Sequence, residues 1–188
     1  MLKNKLIIMI RVFLVAGILL FAGTLNAQNL YSISVYSIEG VKKPLTICQG
    51  KKILVVTLPV QQTTAADTLL QGLAALHATY GDSLIIIATP SYEDGYTPQI
   101  KSSLQQWYRT ILPASIIVTE GLFTRKTSST QQHPLFKFLT SKERNLRFDQ
   151  DVTGPNSKFV IWKNGEMIGV LDAQTAIAGS VIHGLLDQ

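Results

Sequence analysis

Few side chains in this sequence are equipped for chemistry, and they are scattered. The 188 residues include one cysteine, Cys48, and three histidines, His77, His133 and His183. A thiol attacks peroxides or disulfides as its thiolate, which an adjacent cation, a helix N-terminus or a Cys-x-x-Cys partner stabilises. Cys48 lies in Leu45-Thr46-Ile47-Cys48-Gln49-Gly50, with neither an adjacent cation nor a second cysteine. It is either a redox thiol or a small half-buried residue. Its surroundings favour the second, since free cysteine is among the most buried types. The histidines are too far apart for a ligand pair such as H-x-x-x-H, so the sequence calls for no metal and no cofactor. His133 reads as a helix-start residue and His77 as a helix-edge residue. Glu93-Asp94 could form an acid–base or metal pair, but Asp before Gly95 is the signature of a turn.

The chain is organised around one strand-loop-helix unit, Lys51 to Tyr80. Ile53 to Val56 is apolar and mostly β-branched without alternation, the pattern of a strand buried on both faces. Pro59 cannot donate to a ladder and ends it. Thr63 or Thr64 can cap the next helix, with Asp67 in its first turn and Leu69, Leu70, Leu73, Leu76 and Tyr80 at helical spacing. A loop between a buried strand and a helix N-terminus favours negative charge and suits a reactive thiol. Here that loop is Gln61-Gln62-Thr63-Thr64, and it holds no cysteine.

The remaining elements frame this unit. Leu30 to Ile38 alternates, Glu39-Gly40 turns, and Leu45 to Ile47 reads as a second strand, giving an N-terminal hairpin. Leu84 to Ala88 is a second apolar strand, parallel to the first through a right-handed crossover. Thr89 to Pro98 reads as a loop and Ile100 to Thr110 as a helix, with Leu104 and Trp107 or Tyr108 inward. Ile116 to Val118 reads as a short strand, Gly121 to Gln132 as a polar surface loop, and His133 to Leu139 as a short helix. Lys158 to Trp162 and Met167 to Leu171 flank Asn164-Gly165, a strong hairpin signal. Thr175 to Leu186 reads as a terminal helix. The order predicts an α/β protein with a thioredoxin-like fold: a central mixed β-sheet flanked by helices, plus the N-terminal β-hairpin.

The N-terminus reads as an export signal. Lys3 and Lys5 precede the apolar stretch Val12 to Ala22, and Leu25-Asn26-Ala27 ends on a small residue. Residues 1–27 are therefore a cleaved signal peptide, and 28–188 form one domain. The alternative is a retained anchor, which Arg11 inside the span disfavours. Without Lys3, Lys5 and Arg11 the chain carries 14 basic residues against 12 acidic, so no nucleic-acid footprint remains. With one cysteine there is no internal disulfide, and burial must supply stability.

Three stretches resemble the glutathione peroxidase family. His133-Pro134-Leu135-Phe136-Lys137-Phe138-Leu139-Thr140-Ser141-Lys142 is similar to that family's H-P-L-[YF]-K-[YF]-L-x-S-K segment. Gly72-Leu73-Ala74-Ala75-Leu76 is similar to its G-L-x-x-L helix. Lys158-Phe159-Val160-Ile161 with Asn164-Gly165 resembles its K-[FY]-L-[IV]-D-x-x-G hairpin. The resemblance implies a thioredoxin-like fold over about Leu30 to Leu186. Its chemistry does not follow. The family's catalytic Cys or selenocysteine falls at Gln62 or Thr64, depending on which end the count starts from. Its supporting glutamine falls at Glu93, and its Trp-Asn pair at Gly154 and Pro155. Peroxide reduction needs an oxidisable sulfur, which Gln and Thr lack, and a carboxylate at 93 would raise a thiol's pKa.

Two functions remain open. One is an exported, periplasmic or extracellular descendant of a thiol peroxidase, inactive, binding an unidentified protein or small-molecule partner or serving structurally, with no stable membrane insertion after cleavage. The other is an oxidoreductase of altered chemistry, acting in the same cleft or through Cys48. Export generates the first expected result: intact-mass measurement of the native protein gives a chain starting at Gln28, and a mass that includes Met1 to Ala27 contradicts it.

Overall fold

A computed structural model describes residues 29–188. The apolar run after Lys51 becomes the middle of the sheet. Strand β3 (Lys52–Leu58) is buried at every position and ends at Pro59. It pairs in parallel with β4 (Leu84–Pro90), Val56 lying opposite Ala88. On its other side it pairs antiparallel with β6 (Lys158–Ile161). β5 (Ile117–Val118) and β7 (Met167–Leu171) complete the order β5-β4-β3-β6-β7. The β6–β7 hairpin turns at Asn164-Gly165, with Gly165 at φ 87°.

Both faces of β3 are covered, which explains its unbroken apolar sequence. Leu54 and Val56 join a core with helices α1 (Thr64–Tyr80), α2 (Lys101–Ile111) and, at the C-terminus, α5 (Ser180–Leu186). Ile53 and Val55 join the opposite core with the N-terminal hairpin and α3 (Pro134–Thr140), which is followed by the short α4 (Lys142–Asn145). Thr63 is the cap of α1: its hydroxyl accepts from the Ala66 N–H at 3.1 Å. Asp67, in the first turn, accepts from the Trp107 indole at 2.7 Å and ties α1 to α2. Both Trp107 and Tyr108 are buried.

The structure departs from the sequence reading in three places. The hairpin is shorter, with β1 (Ser34–Tyr36) on β2 (Lys42–Pro44), and Leu45–Cys48 is a 3-10 turn instead of a strand. After the Leu45 N–H to Ile33 carbonyl bond (2.9 Å) the chain turns inward and buries Leu45 and Cys48. The terminal helix starts at Ser180, not Thr175. Before it, Asp172 Oδ1 accepts from the N–H groups of Gln174 and Thr175 and from the Thr175 hydroxyl, an Asx turn that competes with helix. Val181 consequently points to solvent while Ile177 is buried ahead of the helix.

The third departure is Gly121 to Gln132, whose first part is interior: Gly121, Leu122 and Thr124 are buried. A Cβ on Gly121 would overlap the ring of Tyr96, which is itself buried. Three ring atoms would be struck at once, and the ring already packs edge-on against Tyr92. Gly121→Ala is expected to destabilise the fold by about 1–3 kcal/mol. Urea unfolding measures this, and an unchanged midpoint contradicts the packing described.

Candidate functional site

The carboxyl ends of β3, β4 and β5 lie at one edge of the sheet, where ligands of α/β proteins commonly sit. The edge is assembled by hydrogen bonds to Thr57, the penultimate residue of β3. Its hydroxyl donates to the Gly154 carbonyl at 2.8 Å and accepts from the Ser157 N–H at 2.9 Å. Its own N–H donates to the Ser157 carbonyl at 3.0 Å, and its carbonyl accepts from the Asn156 N–H at 2.7 Å. The stretch Gly154 to Ser157 is thereby sewn to the end of β3. Tyr108 fixes the next residues, its hydroxyl donating to the Pro59 carbonyl at 2.7 Å. Gly95 comes close to Val60, so the loop after β4 joins the same edge.

The sequence-derived positions are thus carried to this edge by three separate stretches. Gln62 is exposed in the loop, and Thr64 is the exposed first residue of α1. Among the described residues, no side chain hydrogen-bonds to the side chain of Gln62 or Thr64, so neither has a general base. Gly154 adopts φ 152°, a conformation that L side chains avoid. The family's Trp-Asn pair therefore has no ready place at Gly154 and Pro155.

Glu93 has a different occupation from that expected. Its carboxylate accepts from the backbone N–H groups of Thr124 (3.0 Å) and Arg125 (2.9 Å) and from the hydroxyls of Ser91 (2.6 Å) and Ser128. Both oxygens are committed to the segment after β5. Burial alone would raise its pKa, but the hydroxyls of Ser128 and Ser91 and the two backbone N–H groups overcome this and hold it at about 2. Glu93 is a structural anion. Beside it, Asp94 pairs with Arg125. Burial raises the Asp94 pKa although the Arg125 charge opposes this.

Cys48 is fully buried in the core under the hairpin. It precedes β3, whereas the Gln62 loop follows that seven-residue strand, a separation of roughly 20 Å at ~3.3 Å per residue. Burial pushes its thiol pKa to about 11, and the nearby Lys51 charge offsets little of this. The histidines have separate duties. The Nδ1 of His133 caps α3 by accepting from the Leu135 N–H, and burial lowers its pKa to about 4. His77 Nε2 meets the Ser115 hydroxyl at 2.6 Å, and His183 Nδ1 meets the Tyr80 hydroxyl at 2.9 Å.

Two features escaped the sequence reading. One is the set of donors around Glu93, foreshadowed only by the density of Ser and Thr in residues 124–130. The other is Lys158, fully buried at the start of β6. Its ammonium donates to the carbonyls of Asn156 (2.6 Å) and Asp172 (3.0 Å), and burial lowers its pKa to about 8. A lysine heading an otherwise apolar strand was the available signal.

No protein-family model matches the sequence, and no curated protein matches it. Solved structures do. Trgpx in its apo form is 18% identical over 86% of this chain and 95% of its own, with a TM-score of 0.62. GPX1 of T. cruzi is 14% identical over 85% and 95%, with a TM-score of 0.60. A secreted Mycobacterium tuberculosis disulfide oxidoreductase is 10% identical over 86% and 98%, with a TM-score of 0.51. At these identities the likeness speaks to the fold, which is thioredoxin-like, in an arrangement shared with glutathione peroxidase structures.

The Glu93 geometry has a measurable consequence. In Glu93→Gln the amide can keep some of these bonds, but its NH2 must face donors. The substitution is expected to cost about 1–3 kcal/mol at neutral pH. Because the folded pKa lies below the unfolded one, the carboxylate's contribution is complete above about 4.5 and is lost as pH falls toward about 2. Urea unfolding across that range tests this: the gap between wild type and variant should close as acid is added. A gap that does not depend on pH contradicts it.

Proposed function

We propose that this is an exported, glutathione peroxidase-like protein that does not reduce peroxides and acts as a binding or structural module. The observation that carries this reading is the displacement of sulfur from the site. The loop at the N-terminus of α1 has none, and the single cysteine is buried at the far end of β3. With a thiol pKa of about 11, only about one Cys48 in ten thousand is ionised at pH 7. Buried and protonated, it is unsuited to attack a peroxide oxygen.

The surroundings support the same reading. The glutamine position holds a carboxylate that braces a loop, and the Trp position holds a glycine in a backbone conformation that L side chains rarely adopt. Export is supported by the composition of residues 1–27, which lie outside the described residues. Among the described residues, no helix is long and apolar enough to cross a membrane. The partner is an unidentified protein or small molecule reached through the exposed edge around Gln62 and Thr64.

Peroxide consumption with glutathione or thioredoxin as reductant tests the proposal: the rate should equal the no-protein control. Turnover above that control contradicts it. Cys48 should label slowly with a thiol probe in the folded protein and rapidly after denaturation. Fast native labelling, with a sulfenic acid formed on peroxide addition, would instead favour an oxidoreductase working through Cys48.

A further inference from the structure

At the opposite end of the sheet, the turn before β5 brings a nucleophile and a base together. Ser115 is exposed, and its hydroxyl lies 2.6 Å from Nε2 of His77, near the end of α1. This is within reach for proton transfer from a serine to an imidazole. The turn is closed by the Ile116 N–H donating to the Pro113 carbonyl at 3.1 Å. Among the described residues, the N–H groups of Ala114 and Ser115 donate to no protein acceptor.

Ser115 also lines a cavity of about 440 Å³ between the N-terminal hairpin and the sheet. Val41, Ile47, Ile85 and Ile117 give it an apolar wall, and Val41 and Ile47 are about half exposed, so it opens to solvent. Arg109 on its rim is occupied: it pairs with Glu39 and donates to the carbonyls of Pro113 and Ile116, which holds the Ser115 turn in place. A Ser–His pair beside an open apolar cavity is an arrangement suited to acyl transfer.

We propose that Ser115 and His77 form a second, independent site that hydrolyses esters of short apolar acyl groups, the acyl chain lying against Val41, Ile47 and Ile85. His77 Nε2 takes the Ser115 hydroxyl proton while Oγ bonds to the ester carbonyl carbon. The tetrahedral oxyanion meets the free N–H groups of Ala114 and Ser115. His77 then returns the proton to the departing alkoxide as the C–O bond breaks. Water, deprotonated by the same imidazole, attacks the acyl-serine, and the proton passes back to Oγ as the acid leaves. The other ring nitrogen, Nδ1, is buried without a partner, so no third group orients the imidazole. Turnover is accordingly slower than that of a complete triad.

The test is labelling of the intact protein by a fluorophosphonate, with peptide mapping, alongside hydrolysis of p-nitrophenyl butyrate. The label should map to Ser115. Ser115→Ala should lose both label and hydrolysis, and His77→Gln should lower both by about 100-fold, the smaller effect of removing a general base. Ser83→Ala, at another exposed serine, should behave as wild type. Mapping on the wild-type protein keeps the result independent of how the variants fold. No label, a label elsewhere, or wild-type hydrolysis by Ser115→Ala overturns the proposal.

Discussion

The carboxylate of Glu93 is the constraint on which the carboxyl edge of the sheet depends. A charge removed from water must find donors or lose its ionisation. Here two backbone N–H groups and the hydroxyls of Ser91 and Ser128 converge on it, and they outweigh the burial that would protonate it. The segment after β5 must therefore run past Glu93 in one path. That path places Arg125 against Asp94 and presses Gly121 onto Tyr96. A loop read from sequence as polar surface becomes part of the interior because one acid needs its backbone.

The other half of the edge depends on Thr57 in a comparable way. One hydroxyl both donates to Gly154 and accepts from Ser157, which sets the entry into β6. The left-handed backbone of Asn156 and the φ of Gly154 follow from this path. These two nodes, Glu93 and Thr57, flank the loop at Gln62 and Thr64. The loop holds no sulfur, and the groups around it are committed to structural hydrogen bonds. A thiol placed in this loop would find Glu93 already bonded to the segment after β5 and a glycine at 154.

The legible parts of the fold were those set by local pattern. The unbroken apolar runs of β3 and β4, the Thr63 cap, the spacing of the α1 leucines and the Asn164-Gly165 turn each declared an element within a few residues. Cys48 has no second cysteine to pair with, and the structure buries it in the core under the hairpin. The parts that were not legible depend on distant partners. Leu45–Cys48 turns inward because the core under the hairpin accepts Leu45 and Cys48. Residues 172–179 stay out of the helix because Asp172 captures the N–H groups of Gln174 and Thr175, and Ile177 packs closely against Gly72. At the site, the sequence carried no sign that the charge of Glu93 was already satisfied.

The N-terminus of α1 could still favour a thiolate, by about 0.3–1 kcal/mol, which is less than one pKa unit. The most direct measurement is therefore the second-order rate of sulfenate formation by hydrogen peroxide in Gln62→Cys and Thr64→Cys. The account predicts that each oxidises stoichiometrically and no more than about tenfold faster than a cysteine in an unstructured peptide at the same pH. Oxidation orders of magnitude faster in either variant would contradict it, showing that the edge still holds the machinery of a peroxidase and lacks only the sulfur.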